Sequence, residues 1–65
     1  MRNMVVTTVE DQQIVMNADN IESMQDKKLF RTIWEKGGPA YKVKETIPEL
    51  IRKIHTAQGE VANAV

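Results

Sequence analysis

The sequence predicts a small α+β domain: an antiparallel sheet of four to five strands followed by one C-terminal α-helix. Three observations carry that reading. Short runs rich in β-branched and aromatic residues recur at 4–9, 12–16, 29–34 and 40–44, which is strand composition. Polar or glycine-bearing corners at 10–11, 17–20, 26–28 and 35–39 separate them. One stretch with helical apolar spacing, 46–58, comes after all of the strands.

A chain of 65 residues supports one domain, placed at 1–58, with 59–65 expected to fray as a tail. A chain of this size buries only about 60% of the surface that its unfolded form exposes. Disulfides, metals or partners make up that shortfall in small folds. Cysteine is absent and His55 is the single histidine, so disulfides, thiolate sites and imidazole clusters are excluded. No cofactor is expected, which leaves a protein partner or self-association. Nine basic and nine acidic residues cancel, and the pI is 6.6, which weighs against generic phosphate-backbone binding. No apolar run approaches the roughly 20 residues of a membrane span. The opening 1–4 lacks the apolar segment of a secretory signal, so a cytoplasmic location is expected.

The first two strands, 4–9 and 12–16, form a hairpin across Glu10-Asp11, a turn without glycine. Asn17, Asp19 and Asn20 then make a corner, since each side chain can fold onto nearby backbone groups. Ile21 and Met24 stand three apart, which suits a helical turn, while the hairpin context suits a strand; a 3₁₀ turn leading into a strand reconciles the two. Asp26-Lys27-Lys28 is a charged loop.

The run 29–34 is the clearest strand, and both of its faces are largely apolar. Phe30, Thr32 and Trp34 share one side, and Leu29, Arg31 and Ile33 the other. A sheet covered by one helix needs only one such face. Leaving a second apolar face in water forfeits roughly 1.5–3 kcal/mol per large side chain. A second copy or a partner is therefore expected to cover the Leu29/Ile33 face. Glu35-Lys36-Gly37-Gly38-Pro39 is a turn, and the last strand alternates, with Tyr41 and Val43 inward and Lys42 and Lys44 outward.

Thr46-Ile47-Pro48-Glu49 opens the helix as a capping box with proline in the first turn. Ile47, Leu50, Ile51 and Ile54 form its apolar stripe, and Arg52, Lys53 and His55 lie off it. Val61, Ala62 and Val65 would extend that stripe beyond Gly59.

Catalytic chemistry finds no foothold. Ser23 and His55 lie in no nucleophile–base motif, and the nine carboxylates are scattered. Gly37-Gly38 is too short to cradle phosphate. Asn17 and Asp19 supply too few oxygens for a calcium loop. Trp34 and Tyr41 beside Lys36, Lys42 and Lys44 have the composition of a base-stacking surface, against which stand core filling by the aromatics and edge protection by the lysines. The candidate partner-contact residues are Leu29, Arg31, Ile33, Trp34, Tyr41 and Lys42, chosen for their chemistry and not from a motif.

At Met16-Asn17-Ala18-Asp19-Asn20-Ile21-Glu22-Ser23-Met24 the chain resembles the FlbD/SwrD family of small flagellar proteins. Tyr41-Lys42-Val43-Lys44-Glu45-Thr46-Ile47, with Glu49 and Ile51, is similar to that family's strand-to-helix ending. The likeness spans about 4–54. It implies a non-enzymatic cytoplasmic accessory factor tied to flagellar operons and motor power in swarming bacteria. Asn20 stands where the family carries an apolar residue, and Glu10-Asp11 where it carries asparagine-glycine. Two other readings follow from the same features. The strand-rich, one-helix plan is also similar to the carbon storage regulator, an RNA-binding homodimer, although that family's first-strand residues are missing here. A phage or mobile-element protein whose oligomer holds a small ligand or blocks a host factor is the remaining alternative.

Overall fold

The computed structural model describes residues 2–59. Five strands precede one helix: β1 (Asn3–Thr7), β2 (Gln13–Asn17), a 3₁₀ turn (Ala18–Asn20), β3 (Ile21–Asp26), β4 (Arg31–Glu35), β5 (Ala40–Val43) and α1 (Ile47–Ala57). The expected α+β class, five strands followed by one C-terminal helix, is present, but the one sheet expected is divided into two. The expected tail lies, from residue 60 onward, outside the described residues.

The strands make two antiparallel sheets, a β1–β2 hairpin and a β3–β4–β5 meander. Thr8 and Val43 bridge them, and Lys44 N–H donates to Thr7 O at 2.8 Å while Val9 N–H donates to Lys42 O at 3.1 Å. These contacts tie the end of the hairpin to the end of β5, and the two sheets enclose one core. Met4, Val6, Met16 and Ala18 from the hairpin side meet Ile33 and Val43 from the meander, and Leu50 of α1 closes the remaining side. Val6, Ile33, Val43 and Leu50 are each 0% exposed.

Local chemistry explains the corners. In the first hairpin Thr8 Oγ1 accepts from Glu10 N–H and Gln12 N–H at 3.3 and 3.1 Å, which replaces the missing glycine turn with a side-chain scaffold. Asp11 takes the left-handed conformation, φ 65°, that aspartate tolerates better than most residues. Asn17 caps the 3₁₀ turn by accepting from Asp19 N–H at 3.0 Å, and the chain enters β3 directly after it. Gly37, at φ 62°, makes the β4–β5 turn. Thr46 and Glu49 form the reciprocal capping box, with Thr46 N–H donating to Glu49 Oε1 at 2.7 Å. Those bonds from Thr46, backbone before side chain, hold the Glu49 carboxyl below its ordinary pKa.

Two expectations about faces need correction. Ile33 pairs laterally with Met24 and Tyr41, all three in or against the core, so the Ile33 side of β4 faces inward. The other side, Trp34 beside Ser23 and Ala40 and Thr32 beside Gln25 and Lys42, faces outward. The hairpin, β5 and α1 cover Ile33 within the chain itself, and no companion molecule is needed there. On α1, Ile47, Leu50, Ile54 and Ala57 form the inner stripe, and Ile51 stays 42% exposed because it falls outside that narrower arc.

Candidate functional site

The six residues expected to contact a partner divide into three groups. Ile33 is core. Arg31, Tyr41 and Trp34 are half-buried, the first two on the inner side of the meander and Trp34 on its outer side, and Leu29 and Lys42 are exposed.

Arg31 is an internal tie. Its side chain is 12% exposed; Nε donates to Glu45 O at 3.0 Å and an Nη to Lys28 O at 2.9 Å. The guanidinium thus joins the β3–β4 loop to the β5–α1 junction. Tyr41 lines a cleft of about 530 Å³ with Thr8, Val9, Ile14 and Lys42, where the first hairpin meets β5.

Leu29 is 93% exposed, at the tip of the β3–β4 loop. That loop is short of freedom. Lys28 N–H donates to Asp26 Oδ1 at 2.7 Å, Lys27 N–H to Phe30 O at 2.9 Å and Leu29 N–H to Lys27 O at 3.0 Å. With the Arg31 bond to Lys28 O, these contacts hold Lys28 at φ 75° and aim the leucine away from the domain. Holding so large an apolar side chain in water has no stabilising return for the fold.

Beside the tip lies the outer face of β4 and β5. Lys42 Nζ sits 5.0 Å above the Phe30 ring, a cation–π contact. Thr32, between the half-buried Phe30 and Trp34, is only 7% exposed. Trp34 borders a shallow groove of about 440 Å³ with Glu22, Ser23, Met24 and Gln25. Phe30 and Lys42 meet on this outer face, which Trp34 shares, and Lys27, Lys28 and Leu29 are exposed in the loop that precedes Phe30. Phe30 was not among the sequence-derived contact residues. Alternation with Trp34 placed it on the same face, but its pairing with Lys42 depends on the β4–β5 register, which the sequence does not encode locally.

A second cluster organises β1. Thr7 N–H donates to both carboxylate oxygens of Glu45, at 3.0 and 2.9 Å, and Lys53 Nζ donates to Glu45 Oε2 at 2.8 Å and Val5 O at 2.7 Å. Burial opposes the charge on Glu45, whose side chain is 10% exposed, but the Lys53 and Thr7 donors outweigh it and hold the carboxyl below its ordinary pKa. Among the described residues, no group of three or more His, Cys, Asp or Glu side chains is placed to hold a metal ion. No described helix is long and apolar enough to cross a membrane.

Comparison with protein-family models, with curated proteins and with solved structures gave no match.

Proposed function

We propose that this chain is a non-catalytic protein-binding accessory factor of the FlbD type, acting in support of flagellar motor function in the cytoplasm. The observation that carries the binding part of this reading is the hydrogen-bonded loop that holds Leu29 out in water, next in the chain to Phe30, whose ring Lys42 covers. A rigid apolar tip loses little conformational entropy when it enters a pocket, and aromatic residues next to it are favoured at the centres of interfaces. The lysines around it suit a partner pocket with an acidic rim. The flagellar part rests on the sequence resemblance at 16–24 and 41–47. The reading includes self-association, through surface other than the Ile33 face.

The experiment is genetic and biochemical together. Deleting the gene from its host should impair swarming, and the Leu29→Asp variant, folded as judged by circular dichroism, should fail to restore it. Normal swarming in the deletion strain would remove the flagellar assignment. Full rescue by Leu29→Asp would remove the Leu29 surface.

A second reading has one observation in its favour: half-buried aromatics flanked by Lys42 on an open sheet face are also how sheet-based proteins stack single-stranded bases. It requires binding to single-stranded RNA that weakens steeply as salt rises. Absence of binding at low salt excludes it.

A further inference from the structure

We infer that β2 is a self-pairing edge, through which a second copy of this chain adds an antiparallel strand and extends the sheet across a two-fold axis. The inference rests on the self-association included in the reading above and assigns it a surface.

The register fixes which backbone groups are free. Arg2 O accepts from Ala18 N–H at 2.8 Å and Gln12 O accepts from Thr8 N–H at 2.8 Å, so the bonded rungs of the hairpin are Arg2/Ala18, Met4/Met16, Val6/Ile14 and Thr8/Gln12. By alternation the N–H and C=O groups of Gln13 and Val15 and the N–H of Asn17 point away from β1, while the Asn17 C=O takes the first bond of the 3₁₀ turn. The corresponding groups on the far side of β1 are treated quite differently. Thr7 N–H is taken by Glu45, Thr7 O by Lys44 N–H and Val5 O by Lys53. One flank of the hairpin is closed by side chains and by β5; along the other, no strand of the described residues lies beside β2.

That flank also lacks the usual guards. Gln13-Ile14-Val15-Met16-Asn17 contains no charge, proline or glycine, the features that keep edge strands apart. The outer edge of the meander, β3, carries Glu22 and Asp26 and a register irregularity between Ile21 and Ser23. Val15, 62% exposed, lies directly across from Val5, 41% exposed, so one apolar pair sits on the outer face next to this edge, between Asn3, Thr7, Gln13 and Asn17. A two-fold operator sets each surface against its own copy, where any charge would meet its like. A neutral edge avoids that cost. Pairing centred on Val15 places Val15 against Val15 and Gln13 against Asn17 of the second copy, and the four valines join into one strip. Five paired residues per chain fall short of the roughly 1,200–2,000 Å² of a standard interface, so the dimer is weak and concentration-dependent.

The test is sedimentation of the full chain combined with amide hydrogen exchange by NMR. At about 100 μM, where a contact with a Kd of about 10 μM is mostly formed, the mass should be twice the 7.4 kDa of the monomer. Exchange at Gln13, Val15 and Asn17 should slow on the order of tenfold between dilute and concentrated samples. Val15→Lys should return the chain to a monomer with unchanged circular dichroism, because the site is exposed in the single chain. A monomer at every concentration would overturn both the edge and the self-association. A dimer in which those three amides exchange freely, or which survives Val15→Lys, would overturn the edge alone. Pairing of β2 only with an extended peptide of another protein, without a dimer, would also overturn it.

Discussion

Glu45 Oε2 lies 2.8 Å from the Nζ of Lys53, and together these two side chains take the hydrogen-bonding places that a neighbouring strand would occupy along β1. Glu45 accepts the Thr7 N–H and Lys53 donates to the Val5 carbonyl. The last residue before the helix cap and a residue in the second turn of α1 thereby complete a sheet edge.

Acid should weaken this arrangement in a defined window. The Glu45 carboxyl is held below its ordinary pKa despite partial burial, so its contribution is fully present above the unfolded value of about 4.3. It is lost as pH falls through the lower, folded value. Urea unfolding followed from pH 7 to pH 2.5 should show stability declining below about pH 4.3. Glu45→Gln should be less stable at pH 7 and should show a shallower decline in that window. Glu45→Ala, which leaves Thr7 N–H and Lys53 without their partner, should cost about 1–3 kcal/mol at pH 7.

Arg31 distinguishes a structural tie from a contact residue. With two carbonyl acceptors and a 12% exposed side chain, Arg31→Ala should destabilise the domain by about 1–3 kcal/mol. It should also broaden the NMR signals of residues 27–30, which lose their anchor. An unchanged melting temperature would return Arg31 to the list of pure surface contacts.

The helix stripe can be read by a pair of substitutions. Leu50→Ala, at a fully buried position, should cost about 2–5 kcal/mol, enough to leave so small a domain substantially unfolded. Ile51→Ala, one residue along and 42% exposed, should cost under about 1 kcal/mol. Equal losses in thermal denaturation would mean that α1 sits rotated on the sheet.

Lys28 holds φ 75° without being glycine. Relief of that strain, about 1–2 kcal/mol, exceeds the extra unfolded-state entropy that glycine brings, about 0.4–1 kcal/mol. Lys28→Gly should therefore raise stability by a few tenths to about 1 kcal/mol. A drop in the denaturation midpoint would show that the lysine side chain itself supports the loop.

Removing the Thr46 hydroxyl should fray the start of α1. Thr46→Ala is expected to cost about 1 kcal/mol and to lower helical circular dichroism, since Glu49 N–H loses the oxygen 3.3 Å away that it donates to.

Much of this fold is legible in the order of residues because it is set locally. Thr46 and Glu49 spell a helix start through bonds three residues apart, and Asn17 marks the 3₁₀ corner through a bond two residues apart. The strands follow from β-branched runs between polar corners, and alternation along β4 separates Thr32 and Trp34 from Ile33. The tertiary structure alone decided which of those two sides is inside. Alternation is a property of one strand, whereas burial depends on where the hairpin, β5 and α1 come to rest, and those contacts join residues far apart in the chain. The same distinction hides Glu45 and Lys53 among eighteen charged residues until Thr7 and Val5, some forty positions earlier, are brought beside them. It also leaves Leu29 sharing a strand face with Ile33 in the sequence, when the bonds around Lys27, Lys28 and Arg31 turn it out into water.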